Sequence, residues 1–158
     1  MRYWISLLVI GTLSFSRVAI SKKLSDGVFV RIASAIIYIE TRKLAFKKVT
    51  SYCGEADPEI KDEAVSAYQK WLFRNESALR FIVNAKKIFF DENPTLKEPF
   101  FSRYNFFTDG ALKKYRAFSD RERLEQCRWL INSFLSGTHD VKVTEPLVYK
   151  FLSENYGK

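Results

Sequence analysis

Between Asp57 and Phe90, apolar residues at Ile60, Ala64, Ala67, Tyr68, Trp71, Leu72, Leu79, Ile82 and Phe89 recur at the three-to-four-residue spacing of one helical face. Asp57-Pro58-Glu59 opens this run with a capping carboxylate, a proline at the first helical position and an acid at the positive end of the dipole. Asn93-Pro94 closes it, and Arg74-Asn75-Glu76-Ser77 marks a bend or a division into two helices. Six glycines and four prolines in 158 residues are too few for a turn-rich β architecture.

The remaining segments extend the same pattern. Apolar residues at Val28, Ile32, Ala35, Ile36, Ile39, Phe46, Val49 and Cys53 keep helical spacing beside a charged stripe of Arg42, Lys43, Lys47 and Lys48. The β-branched content up to Ile39 makes a strand the competitor, but length and the lack of turn signals favour a helix from Gly27, behind a capping Asp26, to a stop at Gly54. Residues 91–107 hold two prolines and no period, which predicts an irregular connection. Thr108 or Asp109 then caps a short helix over 111–118. Ser119-Asp120-Arg121-Glu122 is a capping-box pattern, opening a helix through Leu124, Cys127, Leu130, Ile131 and Phe134 that Gly137 ends. Thr144-Glu145-Pro146 starts a last helix with Leu147, Phe151 and Leu152 inward. The expected fold is all-α, a single-domain bundle of about five helices.

The N-terminus carries an address. Met1-Arg2 is a short positive start, the thirteen residues from Tyr3 to Phe15 carry no charge, and Ala19-Ile20-Ser21 sets small residues at the −3 and −1 positions of a cut before Lys22. Residues 1–21 therefore read as a signal peptide and 22–158 as the helical domain, placed in the periplasm or secreted, with transient membrane contact through the leader. An uncleaved anchor is the rival, but the apolar stretch falls short of the ~20 residues that cross a bilayer. Loss of Arg2 and Arg17 takes the formal charge from +8 to +6, still basic. In an oxidising compartment the two cysteines, Cys53 and Cys127, favour one disulfide tying the two halves of the chain together; two reduced buried thiols are the alternative.

Chemistry is sparse in the sequence. Two cysteines and one histidine make no zinc site, so neither a metal nor a cofactor is expected. His139-Asp140, after Gly137, has no nucleophile motif beside it and reads as a solvated loop histidine. Hydrolysis of cell-envelope polymers needs a carboxylate pair, for which Glu55, Asp57, Glu59, Glu122 and Glu125 are candidates; most of them already serve first helical turns. Asn75-Glu76-Ser77 matches a glycosylation sequon by chance, inside a predicted helix. The densest aromatic run, residues 89–107, contains Phe100, Phe101, Arg103, Tyr104, Phe106 and Phe107, which form either a plug over the bundle or anchors for a partner. Scattered lysine pairs suit solvated faces or an acidic partner. No nucleic-acid recognition motif is present.

Tyr52-Cys53-Gly54, the acid-Pro helix start, and Trp71 with Arg74-Asn75 resemble small exported helical proteins of Gram-negative bacteria. Periplasmic immunity proteins are similar in size, export and helical content. That resemblance implies a non-enzymatic protein that binds another protein and inhibits it by occupying its cleft. The alternative is an envelope-polymer hydrolase.

Overall fold

The computed structural model describes residues 26–157, so the expected signal peptide lies outside the described residues. Seven helices follow one another: α1 (Asp26–Ala56), α2 (Lys61–Arg74), α3 (Glu76–Glu92), α4 (Lys97–Arg116), α5 (Asp120–Ser136), α6 (Val141–Thr144) and α7 (Pro146–Tyr156). Two 3-10 turns, Pro58–Ile60 and Pro94–Leu96, lead into α2 and α4. The all-α class holds, with no strand among the described residues. The count is seven rather than about five, because Asn75 divides the long second helix and a single turn, α6, precedes α7.

α1 is the axis on which α2, α3, α4 and α5 all pack. Its 31 residues span roughly 46 Å at 1.5 Å per residue. Phe29, Ile32, Ala33, Ala35, Ile36 and Ile39 are buried over a broad arc of its surface, as expected of a helix surrounded by others. Burying an isoleucine is worth about 1.5–3 kcal/mol, against a helix-propensity deficit of a few tenths. Tertiary burial therefore decides against a strand at the β-branched stretch. α1 does not stop at Gly54. A Cβ there would lie 3.1 Å from Lys61 Cα, so the missing side chain lets the start of α2 close against the end of α1.

Asp57 caps the 3-10 turn, its carboxylate accepting from Glu59 N–H at 3.1 Å. The expected inward face of α2 and α3, from Ile60 to Phe89, is buried or packed against the core. The break at Asn75 comes from its own side chain. The amide donates to the Trp71 carbonyl at 2.7 Å and to Asp140 Oδ1 at 3.1 Å, and accepts from Val141 N–H at 2.7 Å. Local backbone bonding of this kind competes with the helical ladder. Arg74 pairs with Asp140 at 2.8 Å and donates to the Phe134 carbonyl, while Trp71 Nε1 donates to the His139 carbonyl at 2.9 Å. Trp71, Arg74 and Asn75 thus bolt the 137–141 loop onto the α2–α3 junction. Asn75 is buried and its amide fully engaged, so the sequon it heads is closed to modification in the folded protein.

Residues 97–116 are the main departure from the sequence reading. The expected irregular connection is helical from Lys97 onward. Pro99 falls in the first turn, where its missing N–H has no intrahelical partner to lose. Phe100, Tyr104 and Thr108 then recur every four residues and are buried. Thr108 and Asp109 do not cap a new helix; they are mid-helix and receive Lys48 of α1, at 3.3 and 2.6 Å. Ser119 and Glu122 form the expected capping box of α5, and Gly137 ends that helix in the left-handed region at φ 79°. In α7, Leu152 is inward but Leu147 is 81% exposed, because the face carrying Val148, Tyr149 and Leu152 meets the core.

Cys53 in the last turns of α1 and Cys127 in the middle of α5 form a disulfide, with Cα atoms 5.7 Å apart. It joins the two halves of the chain across 74 positions. Among the described residues, no helix is long and apolar enough to cross a membrane.

Candidate functional site

Helical geometry sorts the aromatic residues of α4 into three positions, because successive residues turn by about 100°. Phe100 and Tyr104 face the core. Phe100 packs at 5.3 Å from both Phe89 and Phe90, with Tyr104 6.2 Å beyond it. Phe101 and Asn105 lie on one flank, above a groove shared with α1. Arg103, Phe106 and Phe107 lie towards the other. Phe106 is 75% exposed and meets the half-buried Phe107 edge-on at 5.7 Å. Arg103 is exposed and makes no ion pair among the described residues. Part of this segment is therefore a plug over the core, and part is exposed surface. The four-residue recurrence of Phe100, Tyr104 and Thr108 is the sequence signal that separates them.

The groove between α1 and α4 encloses about 270 Å³ and is lined by Glu40, Lys43, Leu44, Lys47, Tyr68, Phe101, Tyr104 and Asn105. Glu40 pairs with Lys86 of α3 at 2.9 Å, and the Lys86 ammonium lies 5.9 Å from the centre of the Phe101 ring. Tyr68 donates its hydroxyl to the Lys43 carbonyl at 3.2 Å. The Tyr104 hydroxyl is buried without a hydrogen-bond partner. Burial first, and then the Glu40 charge, pushes the Tyr68 phenol up to about 12 and raises Tyr104 as well. Both hydroxyls are thus held protonated, as donors.

A second polar cluster sits where α1 meets α6 and α7. Arg42 reaches Thr144 Oγ1 at 2.5 Å and lies 4.6 Å over the Tyr38 ring. Burial raises Tyr38 to about 12 and lowers Arg42. His139 is not the solvated loop residue its sequence context suggested. The bolt at Asn75 and Trp71 draws it inward to 5% exposure among Phe46, Trp129 and Phe134, with neither ring nitrogen bonded. Burial, and then the Arg42 charge, lowers its pKa to about 4, so it is neutral at physiological pH.

Three of the five carboxylates considered for hydrolysis have structural occupations. Asp57 caps the 3-10 turn, Glu122 belongs to the Ser119 capping box and Glu125 pairs with Arg121 at 3.2 Å. The Ser119 hydrogen bonds lower the Glu122 carboxyl, the opposite of what a general acid needs. Glu55 and Glu59 are exposed at the α1–α2 turn. A cavity of about 260 Å³ beside the disulfide, between Asp57, Ile60, Asp120 and Arg123, has its Asp120 and Arg123 bonded to each other. No group of three His, Cys, Asp or Glu side chains that could hold a metal occurs among the described residues. Comparison with known protein families, curated proteins and solved structures finds no match.

Proposed function

We propose that this is an exported helical protein that acts by binding another protein, as an inhibitor or immunity protein occupying its partner's cleft, and not by catalysis. The observation that carries the reading is Phe106, three-quarters exposed beside Arg103, which makes no ion pair among the described residues, on a helix whose opposite face is locked into the core. Aromatic and arginine side chains are the residues that concentrate binding energy at interfaces. A rigid helix presents them without a folding cost at the moment of binding. The disulfide suits an oxidising compartment, in keeping with an N-terminal leader that is removed on export.

The test is Phe106→Ala combined with Arg103→Glu, followed by capture of a partner from the envelope fraction of the producing cell. Loss of capture with helicity and melting temperature unchanged supports the reading. Unaltered capture refutes it. Mass spectrometry of the natural N-terminus tests export directly: a mature chain starting at Lys22 is expected, and an intact Met1 in a cytosolic, reduced protein overturns it.

A further inference from the structure

The groove between α1 and α4 carries three independent features of a site awaiting a ligand. Tyr104 is 4% exposed, yet its hydroxyl has no partner among the described residues, while the neighbouring Tyr68 hydroxyl has one. Buried polar atoms in folded proteins are almost always satisfied, and an orphan needs an explanation. Lys43 and Lys47, one turn apart on α1, both line the groove and neither makes an ion pair among the described residues. Their neighbours Lys48 and Lys86 are each neutralised, by Asp109 and Glu40. Leu44 and Phe101 supply the apolar wall of the groove.

We propose that this groove docks a short acidic segment of a partner protein. An apolar side chain of the segment enters between Leu44 and Phe101. A neighbouring carboxylate bridges Lys43 and Lys47, and it reaches the Tyr104 hydroxyl, closed off in the free protein, as the entering side chain displaces Phe101 from the Tyr104 ring it packs on at 5.7 Å. Charge decides the sign of the ligand: the one carboxylate in the lining, Glu40, is already paired at 2.9 Å, so an incoming cation meets only Lys43 and Lys47. Size decides its class. About 270 Å³ lies below the ~300–1,000 Å³ of pockets that hold drug-sized molecules, and fits one or two side chains of a peptide. The inference rests on the protein-binding reading for the nature of the ligand, but uses a different flank of α4 from Phe106.

The experiment titrates the full mature chain with the peptide acetyl-Ser-Asp-Phe-Asp-Ser-amide, followed by the NMR signals of Tyr104 and Phe101. Saturable shifts are expected. Lys43→Glu with Lys47→Glu should weaken binding about tenfold or more, and Tyr104→Phe about threefold. Tyr104→Phe removes only an unbonded oxygen, so its melting temperature should stay level or rise. No saturable binding, equal binding of the peptide with Asn for Asp or Gly for Phe, an unaffected lysine variant, or a Tyr104→Phe protein that melts lower each overturns the proposal. Phe106→Ala separates the two readings. If the natural partner is lost with Phe106→Ala but retained by the lysine variant, the groove proposal falls and the exposed flank stands. If the lysine variant loses both partner and peptide while Phe106→Ala keeps them, the groove stands alone.

Discussion

Acidification from neutral pH to pH 4 should withdraw stability from this protein through one imidazole. His139 is the only histidine in the sequence, buried between Phe46, Trp129 and Phe134, with Arg42 close enough to disfavour a positive charge and Asp140 opposing that effect. Its pKa falls from 6.5 to about 4 on folding. Between those values the unfolded chain binds a proton that the folded chain refuses, so stability declines as the pH drops through the window. Above pH 6.5 both states are neutral and the contribution is constant; below 4 both are charged and the loss is complete. At 1.36 kcal/mol per pKa unit the full loss is about 3 kcal/mol, and about 2 after allowing for solvent around the half-exposed Trp129. That is a large part of the ~5–15 kcal/mol of a typical domain. Urea unfolding at pH 7, 5.5 and 4.5, at fixed ionic strength, should show the decline in the native protein. The difference between it and His139→Leu isolates the histidine from titrating carboxylates. The variant should lose about 1.5 kcal/mol less than the native protein over that range, since pH 4.5 stops short of the folded-state pKa. Identical pH slopes for the two proteins, or an NMR titration of the imidazole with a midpoint near 6.5, would refute the reasoning.

Asn75→Asp should cost about 3 kcal/mol at neutral pH, because it removes the donor to Asp140 Oδ1 at 3.1 Å and sets a second buried carboxylate there. Chemical denaturation checks this, and the penalty should shrink on acidification as the new carboxyl protonates; a variant as stable as the native protein would mean the bolt carries no energy. Reduction of Cys53–Cys127 should lower stability by up to about 4 kcal/mol, the chain-entropy value for so long a loop. Guanidinium unfolding with and without reductant measures it, and an unmoved midpoint alongside two titratable thiols in the untreated protein would show that no bridge forms.

What could be read along the chain is what local chemistry decides. Ser119 and Glu122 cap α5 and Gly137 ends it because capping bonds and a positive φ involve residues within a single turn. The faces of α2 and α3 were legible because apolar residues, alanine most often, recur at helical spacing on either side of the break at Asn75. α4 was not. Its helix formers are weak, Pro99 and Gly110 sit inside it, and its stability comes from burial of Phe100 against Phe89 and Phe90 of α3, of Tyr104 beside it, and of Thr108 against α1. Leu147 misled for the same reason: an apolar residue near the start of an amphipathic helix is assigned to a face, and only the packing of α7 against α3 fixes which face that is. The candidate site lay partly within reach. The sequence supplied Phe101, Arg103 and Phe106, but a groove formed by α1 and α4 brings together residues more than fifty positions apart, and a single helical period contains no record of that pairing.

Among the described residues three buried side chains, Thr41, Tyr104 and His139, have polar atoms without hydrogen-bond partners, and the surroundings of the last two give them opposite meanings. His139 is enclosed by three aromatic rings with a guanidinium nearby, so both the apolar cage and the charge favour its neutral form. No counter-ion is expected for a group that carries no charge at neutral pH, and its unbonded nitrogens register as acid sensitivity. Tyr104 instead borders a groove whose lysines carry charge without acids to match. Its hydroxyl cannot escape the cost of burial by losing a proton, since burial and Glu40 both hold that proton in place. An acceptor brought from outside relieves that cost, and a carboxylate acceptor also answers the two ammonium groups of Lys43 and Lys47. The same physical deficit, a polar atom without a partner, thus marks a pH liability in one place and a docking position in the other, and the charges lining each site decide which.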